Sequence, residues 1–352
     1  MTGNGWESST AEDRQEALRD MTRRLAGRGR LTKRSVLSLA IFLFGCGLLR
    51  APQAMAQDAV AAQPADQALV ADDAQWRQEL AAWRAQREQQ IAAPGGWLTL
   101  VGLEWLKPGI NSVGAAEDNQ IRVRAQAPDH VGLFAVSGNA VQLQAPPGGF
   151  PPDLLIDGKP AQEGPLVVEG AKPSAIAWHG LALVVLNRGG RYVLRIKDAA
   201  SPTRAAFHGL NWYAPDPHFR VQAHWIPYTP PRIEKIPTVL GVTLDLPSPG
   251  VAEFMLDGKV QRLEPVIEDP EGKTLFFILR DQTRYETTYT AARYLHTGLP
   301  DHGLDQPGLL TLDFNRLENP PCAYTPYATC PLPPVFNRLL VPLYAGEKRY
   351  AH

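Results

Sequence analysis

Short apolar runs separated by Gly- and Pro-rich turn residues, with no helical period between them, most limit what the chain beyond residue 96 can fold into. A parallel α/β sheet needs a crossover of about a dozen residues or more, usually a helix, between successive strands. Instead, the apolar runs at residues 121–123, 141–143, 154–156, 181–186 and 192–196 are divided by Gly138-Asn139, Pro146-Pro147-Gly148-Gly149, Asp157-Gly158 and Arg188-Gly189-Gly190. Asp157-Gly158 has the chemistry of a type I′ hairpin turn, in which both central residues take positive φ. Strand signals resume at residues 219–228, are broken by Pro230-Pro231, and continue at 238–246, 252–256, 260–267 and 275–279, with Asp257-Gly258-Lys259 as a second hairpin turn. With Gly 30 and Pro 32 in 352 residues, the expected class is mainly β: an antiparallel sandwich or barrel-like body. The loop at 201–217 divides it near residue 215, into a region at 72–215 and a C-terminal β region at 216–352.

One amphipathic helix is expected before the sheets. Trp76, Leu80, Trp83 and Ile91 fall near helical spacing, Asp72 or Asp73 stands ready to cap the first N–H groups, and Pro94-Gly95-Gly96 stops the run. Residues 57–71, made of Ala, Gln, Asp and Pro without an apolar pattern, read as a flexible leader.

The first 56 residues read as an address. Arg14, Arg19, Arg23, Arg24, Arg28, Arg30, Lys33 and Arg34 precede an apolar run at 36–49, and Ala54-Met55-Ala56 follows as a small-x-small cleavage site. The run is shorter than the roughly 20 residues a spanning helix needs. The expectation is a signal peptide at 1–56, cleavage before Gln57, and a periplasmic or secreted protein. A second route stays open, because Leu43-Phe44-Gly45-Cys46 resembles a lipoprotein box that would anchor the chain at Cys46.

Lys+Arg 35 against Asp+Glu 36 leaves no basic footprint for nucleic acid. No Gly-x-Ser-x-Gly elbow, phosphate-binding Gly-rich loop or His-Glu-x-x-His motif occurs, and no cofactor is implied. A membrane is expected as a partner only during export or through a lipid on Cys46.

The densest set of candidate functional residues lies between 281 and 347. It holds Asp281-Gln282-Thr283, Thr287-Thr288-Tyr289, Arg293-Tyr294-Leu295, Leu312-Asp313-Phe314-Asn315-Arg316, Asn319-Pro320-Pro321-Cys322, Thr329-Cys330-Pro331-Leu332-Pro333-Pro334, Asn337-Arg338-Leu339 and Ala345-Gly346-Glu347-Lys348. On these motifs, and more weakly on Gly102-Leu103-Glu104-Trp105-Leu106, the chain resembles the bacterial and archaeal domain of unknown function family 1684. The resemblance implies a shared domain and supplies no activity.

Within this segment Arg293, Asp313, Asn315, Asn319, Asp281 and Tyr289 are the candidate ligand contacts, for a small polar or anionic molecule. A guanidinium forks a carboxylate or phosphate, and an amide both donates and accepts. The competing reading is that these side chains tie an irregular loop to the sheet. An enzyme, a hydrolase pairing Asp281 or Asp313 with His224, is the alternative function. Cys322 and Cys330 are the cysteines left after cleavage, and an oxidising compartment would pair them. The bond would stabilise the fold by about 2–3 kcal/mol. No metal site is expected, although His296 or His302 would be the residues to complete one with the two thiols.

Overall fold

A computed structural model describes residues 73–168, 172–269 and 271–351. The expected signal peptide, the leader, Cys46 and the capping Asp72 lie outside the described residues. No helix among the described residues is long and apolar enough to cross a membrane.

The chain enters through helix α1 (Asp73–Ala92), in which Trp76, Leu80 and Ile91 are buried and Trp83 is half-buried, as the spacing predicts. It ends before Gly96, where a Cβ would sit 2.2 Å from the Ile91 carbonyl oxygen, so that only glycine fits the turn.

Two antiparallel-rich sheets follow. The strand Leu100–Trp105 pairs with Arg191–Asp198, which pairs with Leu181–Arg188, and Ala175–Trp178 and two short strands extend that sheet to six. The second sheet places Gly109–Gly114 between Ile121–Arg122 and Gly132–Ser137, with Ala140–Gln144 and Gly164–Pro165 beyond. Phe134, Val141 and Leu143 of one sheet share an apolar core with Ile176, Leu183, Val185 and Leu194 of the other. That is a sandwich, and among the described residues the sheet closes into no barrel. Asp157 (φ 52°) and Gly158 (φ 80°) form the expected turn, linking Ile156 to Lys159.

The C-terminal region is built on Arg220–Pro237 and Thr243–Leu256, flanked by Lys259–Leu263 and Gly308–Asp313. Pro230-Pro231 does not break the chain, contrary to expectation. The strand runs through, and its pairing shifts register between Pro227 and Arg232, so residues without N–H donors sit in a bulge. A two-stranded ribbon, Leu275–Leu279 with Arg293–Thr297, packs against this sheet, and Phe277, Phe254, Phe314 and Leu343 meet in the core between them. From Phe314 onward the described chain has short turns and isolated bridges but no regular strand. Although it precedes the sandwich, α1 docks on this region, where Asp313 accepts the Trp76 indole N–H at 2.9 Å, and on the loop before it, where Trp83 meets Trp212 edge-on at 5.7 Å and Arg84 donates to the Tyr213 carbonyl.

Candidate functional site

The irregular C-terminal segment holds its shape through buried polar side chains, and three groups of them contain most of the sequence-derived candidates. The first is Arg293, 1% exposed and opposite Leu279 in the ribbon. Its Nη1 donates to Asp281 Oδ2 at 3.0 Å and to the Leu343 carbonyl at 2.9 Å, and its Nη2 to the Ala345 carbonyl. Asp281 Oδ1 in turn accepts the N–H of Thr283, capping the turn Gln282–Tyr285, and the N–H of Leu343. The ion pair thus fastens residues 343–345 to the end of the ribbon. Of the guanidinium, Nε alone has no partner among the described residues.

The second group centres on Asp313, whose Oδ2 accepts the Trp76 indole N–H of α1 at 2.9 Å while Oδ1 accepts the Asn315 N–H. The Asn315 side chain answers both backbone groups of Asp216, taking its N–H and giving to its carbonyl, each at 2.9 Å.

Of the third group the sequence singled out Asn319 as a candidate but neither Arg87 nor Glu318. Arg87 of α1 reaches Glu318 at 2.5 Å, Glu347 Oε2 at 3.1 Å and the Asn319 carbonyl at 2.8 Å. Asn319 donates its backbone N–H and its amide to the two Glu347 oxygens, and the Tyr324 hydroxyl also donates to Glu347. Burial opposes the charge on Arg87, but Glu318, Tyr324 and Glu347 outweigh it and raise its pKa. Burial also pushes the Glu347 carboxyl above the usual carboxylate range, against the pull of Arg87, Tyr324 and the Asn319 N–H. The signal that could have found this group is Arg87 itself, a charged residue four before the buried Ile91.

The candidates therefore face protein. Arg293 and Asp313 belong to separate groups and share no hydrogen-bond partner, and Tyr289 donates to the Cys322 carbonyl at 3.0 Å. Two clefts, of about 300 and 370 Å³, are lined elsewhere, the first by Ser112, Asp118, Asn119 and His130 and the second by Gln222, Gly298 and Asp301. Asp281 and Asp313 are not bonded to His224, which stands exposed on the strand Arg220–Pro237. No cluster of three or more His, Cys, Asp or Glu among the described residues could hold a metal.

The expected disulfide is corrected. Cys322 and Cys330 are free thiols, and Cys330 Sγ accepts the Cys322 backbone N–H at 3.0 Å. The loop that the bond was expected to pin is held by other means: Tyr289 on Cys322, Tyr294 on the Pro331 carbonyl at 2.8 Å, and the Val239 N–H on the Cys330 carbonyl at 3.0 Å. A hydrogen bond from Cys330 lowers the Cys322 thiol, and burial raises that of Cys330.

One face of the same segment is turned outward. Leu339, Val341, Leu343 and Ala345 are buried, and the alternate residues Arg338, Leu340 and Tyr344 are exposed, the two-residue alternation of an extended strip. Arg280 lies beside Arg338, with its carbonyl accepting the Leu339 N–H at 2.9 Å. Burial and then the charges of Arg338 and Arg284 lower the pKa of Arg280. Arg284 stacks on Tyr285 at 4.1 Å, and the Arg349 guanidinium donates to the Arg284 carbonyl. Among the described residues, no carboxylate forms an ion pair with Arg280, Arg284 or Arg338. Sequence reading named Arg338 but missed Arg280 and Arg284, which only the fold brings to it.

Comparison with known proteins agrees with the motifs. A family described as "Protein of unknown function (DUF1684)" matches residues 205–348. Among solved structures, the chain is similar to the solution NMR structure of an uncharacterised protein of Haloarcula marismortui, with 33% identity over 41% of this chain and 78% of that one and a TM-score of 0.36. No curated protein matches the chain.

Proposed function

Residues 205–348 of the chain match the DUF1684 family of proteins of unknown function, and on that premise we propose that the chain is an exported envelope protein that binds an anionic ligand through the C-terminal segment. The observation that carries the reading is the arginine face. Arg280 and Arg338 stand side by side with Arg284 close enough to depress the first, and like charges so held are relieved by an anion between them. Export rests on the three-part layout of the first 56 residues. The buried candidates Arg293, Asp281, Asp313, Asn315 and Asn319 would then serve the site by holding the strip that presents Arg338.

Inorganic pyrophosphate is a suitable probe. It should raise the melting temperature of the protein recovered from its host, because a ligand that prefers the folded state stabilises it. The rise should vanish in Arg280→Gln/Arg338→Gln. An equal rise in that variant would place the anion elsewhere and end the reading. Mass spectrometry of the same preparation should find Gln57 at the N-terminus, and an unprocessed chain in the cytosol would defeat export.

A further inference from the structure

Three of the arginines just described flank an apolar ridge. Leu340 is 84% exposed, Val335 74% and Tyr285 66%, the three most exposed large apolar side chains among the described residues, and all three lie on or beside this strip. Phe336 and Tyr344, on the same segment, are also exposed, the latter with its ring edge-on to Tyr213. Solvated apolar side chains scattered singly are ordinary, but a run of them rimmed by charge marks a surface that is covered in use. Between residues 331 and 344 the sequence contains no Asp or Glu; nearby, Asp281 is turned inward to Arg293, which leaves Glu286 as the exposed acid of the facing turn.

We propose that this ridge seats the protein on the surface of an anionic phospholipid bilayer, with the side chains of Val335, Phe336 and Leu340 entering the acyl boundary and Arg280, Arg284 and Arg338 meeting lipid phosphates. The inference rests on the proposed anion binding by the same arginines and names its source. Two features favour a bilayer over a folded acidic partner. The apolar side chains protrude one by one from a ridge, which a fluid phase accommodates without a matching pocket. Tyr285 and Tyr344 flank them, and a tyrosine with an apolar ring and a polar tip is suited to the headgroup level. Charge and apolar contact act together at such interfaces, since neither alone anchors firmly.

The test is co-sedimentation of the protein, in the form recovered from its host, with vesicles of mixed phosphatidylglycerol and phosphatidylcholine and with vesicles of phosphatidylcholine alone. Binding should require phosphatidylglycerol, weaken with salt, and fall about fivefold for each of Arg284→Gln and Arg338→Gln. Leu340→Ser should weaken it at least as much, while Val260→Ser, which removes an exposed apolar side chain on the strand Lys259–Leu263, should leave it unchanged. Circular dichroism verifies that each variant is folded. Equal binding by Leu340→Ser and the parent, or equal binding to both vesicle types, would overturn the proposal. Pyrophosphate stabilisation without vesicle binding would sink the bilayer and leave the anion site standing, and capture of polyglutamate without vesicle binding would show an acidic polypeptide to be the partner instead. Failure of pyrophosphate and vesicles alike would remove both readings.

Discussion

In the sandwich, from Leu100 to Asp198, backbone groups are answered within strand ladders, and the interior between the sheets is mostly apolar, with Phe134, Leu183 and Leu194 wholly buried. In the C-terminal region, a long segment without strands crosses the surface of a smaller sheet; Asp281, Arg293 and Asn319 answer its backbone groups, and its own Asn315 and Asn337 donate to the carbonyls of Asp216 and Ile278. Buried polar groups lose more when a partner is removed than they gain while it is present. The two regions should therefore fail differently: the sandwich in proportion to the volume removed, the C-terminal region according to which partner is left alone.

Arg293→Met gives the largest contrast. It leaves Asp281 buried without its counter-charge, at a cost of about 3–5 kcal/mol, and adding Asp281→Leu should recover part of that loss in chemical denaturation. If the double variant is less stable than the single one, the ion pair is not what the segment depends on. Leu183→Ala, at the centre of the sandwich, should cost about 2–5 kcal/mol by leaving a cavity, with no second substitution at a charged group able to relieve it.

A smaller effect tests the helix contact. Trp76→Phe keeps most of the packing but leaves Asp313 Oδ2 without the indole donor, which should cost about 1–3 kcal/mol. Hydrogen exchange should then quicken in α1 and at residues 313–316 while the sandwich stays protected. Uniform quickening would mean that helix and sandwich unfold together.

Acidity should move stability in a defined direction through Glu347. Its folded pKa is raised, so its contribution is fully present below the unfolded value of about 4.3 and is lost as pH rises through the folded value. Glu347→Gln should remove that decline, so that the parent loses stability relative to the variant as pH is raised across the carboxylate range. Parallel pH curves for the two proteins would show that Glu347 does not titrate differently on folding. The smallest expected effect is none: because Cys322 and Cys330 are free, a reductant should leave the denaturation midpoint where it was.

What could be read from sequence was local. Asp157-Gly158 and Asp257-Gly258 carry their conformation in their own chemistry, and both take positive φ as expected. The helix end at Pro94-Gly95-Gly96 and the apolar stripe of α1 were legible for the same reason. The partners of buried charges were not, because nothing near Arg87 in the chain announces Glu318 and Glu347, and nothing near Arg293 announces the carbonyls of residues 343 and 345. The cysteines misled because spacing and compartment bear on whether two thiols can meet, while their positions are set by Tyr289, Tyr294 and Val239, which hold the adjacent backbone. The alternation of residues 338–345 was present in the sequence, but Pro342 and the lack of a ladder partner disguise it.

The clasp between Arg87 and Glu347 spans 260 residues, and during synthesis its two halves appear far apart in time. At about 5–20 residues per second, the guanidinium leaves the ribosome more than about ten seconds before its carboxylate. Over that interval the sandwich can close on contacts already made and Trp83 can meet Trp212, while Arg87 still lacks its counter-charge. A chain cut short before residue 347 keeps Arg87 without that carboxylate, although Trp76 and Trp83 still have Asp313 and Trp212 to meet.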